Sequence, residues 1–113
     1  MAEPTFRPVR RIVSGHNEAG RSVVLTDAPS PHKMALAGVS NFGVTDIWKT
    51  ESAPASNEGN VDPCSLPIVL APPKSGTVFR VVEFPPDEEY IGKWKREAAF
   101  ASMGDSGSQA LEE

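Results

Sequence analysis

Residues 77–84, Thr-Val-Phe-Arg-Val-Val-Glu-Phe, give the strongest strand signal in the chain and constrain its fold more than any other feature. Side chains alternate along a strand, so Arg80 and Glu83 point to opposite faces, each among apolar neighbours. Because both faces are mainly apolar, the pattern predicts a strand covered on both sides, near the middle of a sheet. Pro85 and Pro86 end it, since neither can donate a ladder hydrogen bond.

Shorter strands are predicted on the N-terminal side of this stretch. Residues 9–14 and 21–26 flank a turn that contains glycine and asparagine, which indicates a hairpin. Its arginines are expected on the solvent side, namely Arg10, Arg11 and Arg21. Residues 41–50 form a further strand, in which simple alternation places three side chains on one face: Val44, Asp46 and Trp48. Residues 27–38 are predicted as a loop and residues 68–71 as a short strand.

The remaining segments have weaker signals. Residues 1–8 predict an extended arm, because Pro4 and Pro8 oppose a helix. Residues 51–67 are polar, rich in proline and without a period, which predicts a mobile surface loop. A short helix is expected within residues 87–103, and residues 105–113 are a tail. These elements predict a single, mainly β, antiparallel domain with one short C-terminal helix.

Composition narrows the classes of function. The 113-residue chain is long enough for one domain, and eleven prolines with nine glycines favour short strands over long helices. Its formal net charge is −4, which argues against nucleic acid as a partner. No apolar run is long enough to cross a membrane, and the N-terminus lacks the apolar core of a signal peptide. With Cys64 as its only cysteine, the chain is expected in the cytoplasm.

Three side chains are candidates for a ligand-binding wall: Trp48, Arg80 and Glu83. Each is large or charged and lies on a strand that should be partly covered. The alternative interpretation is a core tryptophan with structural ion pairs. A covered Arg80 needs an anion, and alternation excludes Glu83 as its direct partner. The partner is therefore Asp46, another acidic residue on a neighbouring strand, or a bound anionic ligand.

Metal and thiol chemistry have little support in the residues. His16 and His32 are weak metal candidates, because they are 16 residues apart and no His-x-His or Cys-x-x-Cys pair occurs. Both are more simply interpreted as loop residues. Cys64 lacks a base nearby in sequence, which argues against a catalytic thiol.

Several blocks, in order, resemble a known family. They are residues 4–16 (PTFRPVRRIVSGH), 20–27 (GRSVVLTD), 45–48 (TDIW), the proline pair 72–73 and 76–86 (GTVFRVVEFPP). Together they resemble the N-terminal part of small single-domain cupins of the RmlC-like type. The resemblance covers most of the chain except residues 51–67. It implies an antiparallel jelly-roll β-barrel.

The resemblance also implies a function. Many cupins hold a divalent metal in the barrel through a His-x-His pair, a carboxylate or glutamine and a later histidine, and they include dioxygenases, decarboxylases and isomerases. In the similar members these ligands follow the region that ends here near Gly104, and none of the histidine motifs occurs up to Glu113. We therefore expect a truncated or N-terminal portion of a cupin, with its metal ligands outside this sequence.

Two functions follow as expectations. The first is a cupin-type protein that acts on or binds a small organic molecule bearing a carboxylate or carbonyl group. The second is a non-catalytic β module for binding or assembly. An incomplete barrel leaves strand edges open, so residues 1–26 are expected to pack against another chain or a missing segment, and the predicted assembly is a homodimer.

Overall fold

The computed structural model describes residues 5–36, 39–86 and 103–104. This part of the chain contains five antiparallel strands in two sheets: β1 (Arg10–His16), β2 (Ser22–Pro29), β3 (Lys33–Leu36), β4 (Val39–Thr50) and β5 (Thr77–Glu83). The mainly β, antiparallel prediction is confirmed for these residues. The described strands do not close into a barrel, and the helix predicted within residues 87–103 lies almost wholly outside them.

The first sheet is the β1–β2 hairpin. Its turn is closed by Asn17, whose side-chain Oδ1 accepts the N–H groups of Ala19 and Arg21. Asparagine is favoured in turns because its side chain can hydrogen-bond to nearby backbone groups. A register shift leaves Leu25 without a cross-strand partner. The predicted hairpin is thus present, and both strands extend beyond their predicted C-terminal ends.

The second sheet has the order β3-β4-β5. The loop predicted at residues 27–38 is wrong for its described part, residues 27–36, because β2 continues to Pro29 and β3 occupies Lys33–Leu36. Proline and serine at 29–31 suggested a long loop, but the connection between the two sheets at this point is short. Within the described sheet β4 is central, and β5 lies at the edge rather than in the middle.

The crossing between the two sheets is built around Ser30, which is buried. Its N–H donates to the carbonyl of Val9 at 2.8 Å, and its Oγ donates to the carbonyl of Asp46 at 2.8 Å. The N–H of Asp46 in turn donates to the carbonyl of His32. Since buried backbone polar groups need partners, this set of bonds joins the start of the hairpin to the middle of β4.

The apolar core lies on one face of the three-stranded sheet. It is formed by buried side chains from β3, β4 and two later segments: Met34, Leu36, Phe42, Val44, Ile68 and Met103. Residues 68–70 cross this face as an irregular segment and not as the predicted strand. The prolines on either side of this segment disfavour the hydrogen bonds of a β-ladder. The carbonyls of Val69 and Leu70 instead accept hydrogen bonds from the guanidinium of Arg80.

Coverage of β5 is lower than its sequence suggests. Phe79 is 61% exposed and Val82 is 44% exposed, so the prediction of a strand covered on both faces is wrong for the described chain. Residues 5–8 of the arm pack beside the C-terminal end of β5, where Phe6 is buried and approaches Gly43, the β4 partner of Glu83. No helix among the described residues has the length and apolar character needed to span a membrane.

Candidate functional site

A cleft of about 340 Å³ lies between the hairpin and the segment that follows β4. The inner face of the hairpin forms one wall, with Val13, Gly15 and Thr26, and residues 48–63 form the other. This volume falls within the range of small-molecule sites. The cleft is also partly open to solvent, so a ligand could enter without a rearrangement of the strands.

Trp48 reaches this cleft because β4 contains a bulge. Asp46 pairs with Arg80 and Trp48 pairs with Phe79, which leaves Ile47 as the extra residue. Residues opposite each other share a face, and consecutive residues of β5 point to opposite faces, so Trp48 and Asp46 lie on opposite faces. The prediction that they share a face is therefore wrong. A bulge re-aims the side chains that follow it.

The bulge also provides a binding partner for the hairpin. The carbonyl of Ile47 accepts a hydrogen bond from Arg11 Nη1 at 3.3 Å. Arg11 is only 6% exposed, which contradicts the prediction that all the hairpin arginines face solvent. Arg10 does face solvent, where it pairs with Asp27. Alternation along β1 places these two neighbouring arginines on opposite faces of the hairpin, and only the face of Arg10 is exposed to solvent.

Asn60 fixes the far side of the cleft to the hairpin. Its Oδ1 accepts the N–H of His16 at 3.1 Å, and its Nδ2 donates to the carbonyl of His16 at 2.7 Å. The amide side chain thus occupies the hydrogen-bonding position of a neighbouring strand on the edge of β1. Gly15 permits this approach, since a Cβ there would collide with Asn60 Oδ1 and the side chain of Leu25.

Asp62 connects the segment to two other parts of the chain, at Arg11 and His32, and also makes a local contact with Cys64. Its Oδ2 accepts from Arg11 Nη2 at 2.7 Å and lies 3.0 Å from His32 Nε2, and its Oδ1 accepts the N–H of Cys64 at 2.9 Å. An ionised carboxylate can only accept, so His32 carries its hydrogen on Nε2. The segment predicted as a mobile loop is irregular and exposed through Val61, but Asn60 and Asp62 anchor its C-terminal half.

These contacts change the acidity of the groups involved. Burial raises the pKa of Asp62, but hydrogen bonds from Arg11, His32 and the Cys64 N–H outweigh burial and hold the pKa well below its usual range. Burial and the nearby carboxylates of Asp62 and Asp46 raise the pKa of the Cys64 thiol. The thiol is therefore disfavoured as a thiolate nucleophile, in keeping with the sequence interpretation.

Arg80 and Glu83, the other two candidate wall residues, lie outside this cleft. Arg80 Nε and Nη2 donate to the two carboxylate oxygens of Asp46 at 2.5 and 3.2 Å, and both side chains are largely buried. Of the three partners considered for Arg80, the structure shows Asp46. Glu83 Oε2 accepts the backbone N–H of Arg7 at 3.0 Å, so it holds the arm against β5.

The two histidines are not brought together as metal ligands. His16 is bound through its backbone to Asn60, whereas the ring of His32 is engaged by Asp62. Among the described residues, no group of three or more His, Cys, Asp or Glu side chains could hold a metal ion. The donors in this part of the chain therefore do not fit the divalent metal that the cupin resemblance implies.

Several polar side chains of the cleft escaped the sequence analysis. These residues are Lys49, Glu51, Asn57 and Glu58. Their side chains make no hydrogen bond or ion pair with another described residue. Three of them belong to the irregular segment, where composition indicates only a loop. In the sequence, Lys49 directly follows Trp48 at the end of a predicted strand, and the other three lie in the loop that comes next. Such loops often carry binding residues.

Comparisons with other proteins give no assignment. No family model, no curated protein and no solved structure matches the chain. The resemblance to cupins gains no support from them and stays a prediction.

Proposed function

We propose that this chain binds a small organic molecule in the cleft between the hairpin and residues 48–63, as part of a cupin-type protein. The observation that carries the proposal is the position of Trp48. The bulge at Ile47 turns its indole, 37% exposed, into the wall of a cleft of ligand size. Aromatic walls with a few convergent polar groups are typical of small-molecule sites.

The proposed ligand differs in one respect from the sequence expectation. A bound anionic ligand is one of the partners that the sequence allows for Arg80, but the guanidinium of Arg80 is occupied by Asp46 and two backbone carbonyls. In this proposal Arg80 stabilises the core and does not bind the ligand. Metal-dependent chemistry is implied only by the family resemblance. A cytoplasmic location is proposed from the lone cysteine.

Intrinsic fluorescence tests this proposal. The chain has two tryptophans, so Trp94→Phe leaves Trp48 as the reporter. We expect a saturable change in Trp48 emission with at least one compound in a panel of sugars, organic acids and amines. Trp48→Leu should abolish binding measured by ligand-observed NMR, whereas Trp48→Phe should retain part of it. A panel with no saturable response at millimolar concentrations would contradict the proposal.

A second candidate function is assembly, because the outer face of the hairpin exposes two large apolar side chains. Ile12 and Val24 share this face and are 57% and 64% exposed. We propose, as the alternative, a non-catalytic module that forms a homodimer through these strands. Large exposed apolar side chains close together are a common mark of interaction surfaces. The two functions are not exclusive, since the cleft lies on the inner face and Ile12 and Val24 on the outer face.

A further inference from the structure

We infer that the cleft takes a small organic cation of the alkylammonium type, an inference that rests on the proposed binding function. Three observations carry it. Two carboxylates of the cleft are unmatched within the described structure, the exposed indole of Trp48 lines the same cleft, and the ammonium of Lys49 leaves β4 on the opposite face from that indole. Together they give the ligand side of the cleft an aromatic surface and an excess of negative charge.

Glu51 and Glu58 give the cleft its unmatched negative charge. Both residues line it, and neither carboxylate makes a hydrogen bond or ion pair with another described residue. A third carboxylate, that of Asp62, is matched by Arg11, whose Nη2 lies 2.7 Å from Oδ2. Because Arg11 is engaged in this pair, it does not offset the other two charges. An anion would be repelled by them, and a cation would be attracted.

Lys49 borders the cleft as well, but its side chain leaves the strand away from Trp48. Trp48 pairs with Phe79, and Lys49 pairs with Val78. The two consecutive side chains of β4 therefore point to opposite faces of the sheet. Burial raises the pKa of the Cys64 thiol, and the charge of Lys49 opposes this rise, so its ammonium acts on a residue that does not line the cleft. A cation on the indole would not meet this ammonium directly.

Trp48 supplies the surface against which a cation can pack. Its indole is 37% exposed and lies in the cleft wall. Indole is the aromatic ring that attracts cations most strongly, because the face of the ring carries negative potential. This attraction grows when the cation gives up part of its water. A cleft of about 340 Å³ that is only partly open to solvent provides such an environment.

A neutral ligand suits these groups less well than a cation. It would displace water from the carboxylates of Glu51 and Glu58 without supplying an opposite charge, and loss of hydration is costly for an ionised group. An alkylammonium ion supplies that charge, and its carbon atoms can pack against the indole of Trp48. Recognition of ammonium groups by aromatic faces is common in proteins. The charge of the ligand is therefore the property that the cleft selects.

The test compares probes that share a carbon skeleton and differ in charge. Butylamine, butanol and butanoate form one series, and choline and its uncharged isostere 3,3-dimethylbutan-1-ol form the other. Binding is followed by Trp48 emission in the Trp94→Phe background and by saturation-transfer NMR. We expect the cation of each series to bind about tenfold more tightly than its neutral analogue. Its affinity should fall several-fold between about 0.02 M and about 0.5 M salt, because salt screens the carboxylates.

Variants identify the contacts. Trp48→Leu removes the aromatic face but keeps apolar bulk, and should weaken choline binding about tenfold. The double variant Glu51→Gln/Glu58→Gln should weaken it as much and remove most of its salt dependence. Glu18→Gln is the matched control, since Glu18 is exposed in the hairpin turn outside the cleft. Urea melts show that each variant is folded, and the two glutamates are exposed, so their variant tests the inference even where Trp48→Leu does not fold.

The outcomes separate this inference from the proposal beneath it. Binding of butanol, butanoate or the choline isostere as tightly as the matching cation would overturn the inference and leave small-molecule binding in place. A folded protein that binds no probe of any charge would overturn both. Equal effects of Glu18→Gln and the double glutamate variant would show general attraction to an acidic protein, and would also overturn the inference. Choline binding that survives both Trp48→Leu and the double variant would do the same, because the site would lie elsewhere.

Discussion

At the scale of single residues, the charged side chains that are buried in the described part of the chain each have an oppositely charged partner. Arg80 and Asp46 face each other across β4 and β5 and are both largely buried. Arg11 is buried as well and meets Asp62, which is partly exposed. An unpaired charge in such places would be costly, so these two pairs fix the core segment 68–70 and the hairpin in their observed positions.

The Arg80 pair gives the first prediction. Arg80→Ala leaves the buried carboxylate of Asp46 without compensation and frees the carbonyls of Val69 and Leu70, at a cost of about 3–5 kcal/mol. Arg10→Ala, which breaks the exposed pair with Asp27, is the control and should change the unfolding midpoint far less. Urea unfolding measures both. Similar midpoints for the two variants would mean that burial of the Arg80 pair has no energetic consequence.

Asp62 gives the second prediction, which concerns pH. Its pKa is lower in the folded chain than its usual value near 3.8, so it stabilises the fold above that value. This contribution is lost as pH falls below 3.8 toward the folded-state pKa. Asp62→Asn should cost about 1–2 kcal/mol at neutral pH, an amount reduced by the partial exposure of the carboxylate.

The measurement is the free energy of unfolding from neutral pH down to about pH 2. The difference between wild type and Asp62→Asn should shrink as the pH falls, because protonation removes the interaction that the variant already lacks. Glu58→Gln changes charge equally in the same segment without breaking a hydrogen bond in the described structure, and should keep a small, constant difference. A constant difference for Asp62→Asn as well would contradict the assignment.

At the scale of elements, irregular features position the cleft. The bulge at Ile47 turns Trp48 toward the hairpin and exposes a carbonyl to Arg11. Asn60 then joins residues 51–63 to the edge of β1. The cleft therefore depends on contacts between elements distant in sequence, and each contact can be removed singly.

The Asn60 contact gives the third prediction. Asn60→Ala removes the acceptor of the His16 N–H, so this amide should exchange hydrogen markedly faster. Amides deeper in the hairpin ladder, such as Val13, should change little. Asn57→Ala, in the same segment but without a hydrogen bond to a described residue, is the matched control. Unchanged His16 exchange in Asn60→Ala would show that the contact does not hold the segment in solution.

A close approach at Gly43 gives the fourth prediction. A Cβ at this position would collide with the ring of Phe6 and with the carbonyl oxygen of Met34. Because the carbonyl belongs to the adjacent strand backbone, Gly43→Ala should force β3 and β4 apart and cost about 1–3 kcal/mol. Thermal melts with Ser75→Ala, at an exposed loop position, as control measure the effect. A melting temperature equal to that of the control would contradict the observed packing of the arm.

At the scale of the whole molecule, apolar surface is unevenly distributed. The main apolar cluster lies on one face of the second sheet, while Phe79 and Val82 in β5 and Ile12 and Val24 in the hairpin are exposed. Small domains depend on burying such surface, so association would stabilise this fold.

Association gives the fifth prediction. Sedimentation should show a monomer–dimer equilibrium for the wild type, and the double variant Ile12→Lys/Val24→Lys should remain monomeric over the same concentrations. Val61→Lys, at a position 87% exposed outside the hairpin, is the control and should dimerise like the wild type. A monomer at every concentration, or a dimer that survives the double variant, would contradict assembly through this face.

The sequence by itself determined the features that depend on neighbours along the chain. Alternation predicted a strand at 77–84, observed at 77–83, and the Gly/Asn turn predicted the hairpin. One charge among valines required an anion, which is Asp46. These signals are local, because side-chain alternation and turn preference act within a few residues. The mainly β class follows from them directly.

Only the tertiary structure decided the candidate site. Strict alternation cannot reveal the extra residue at Ile47, so it placed Trp48 on the wrong face. The burial of Arg11 depends on its contacts with the Ile47 carbonyl and Asp62, which are distant in sequence. The short strand β3 and the attachment of residues 51–63 through Asn60 and Asp62 also depend on partners far away in sequence. Such features are selected by the free energy of non-local contacts, which leave no periodic pattern in the segments that make them.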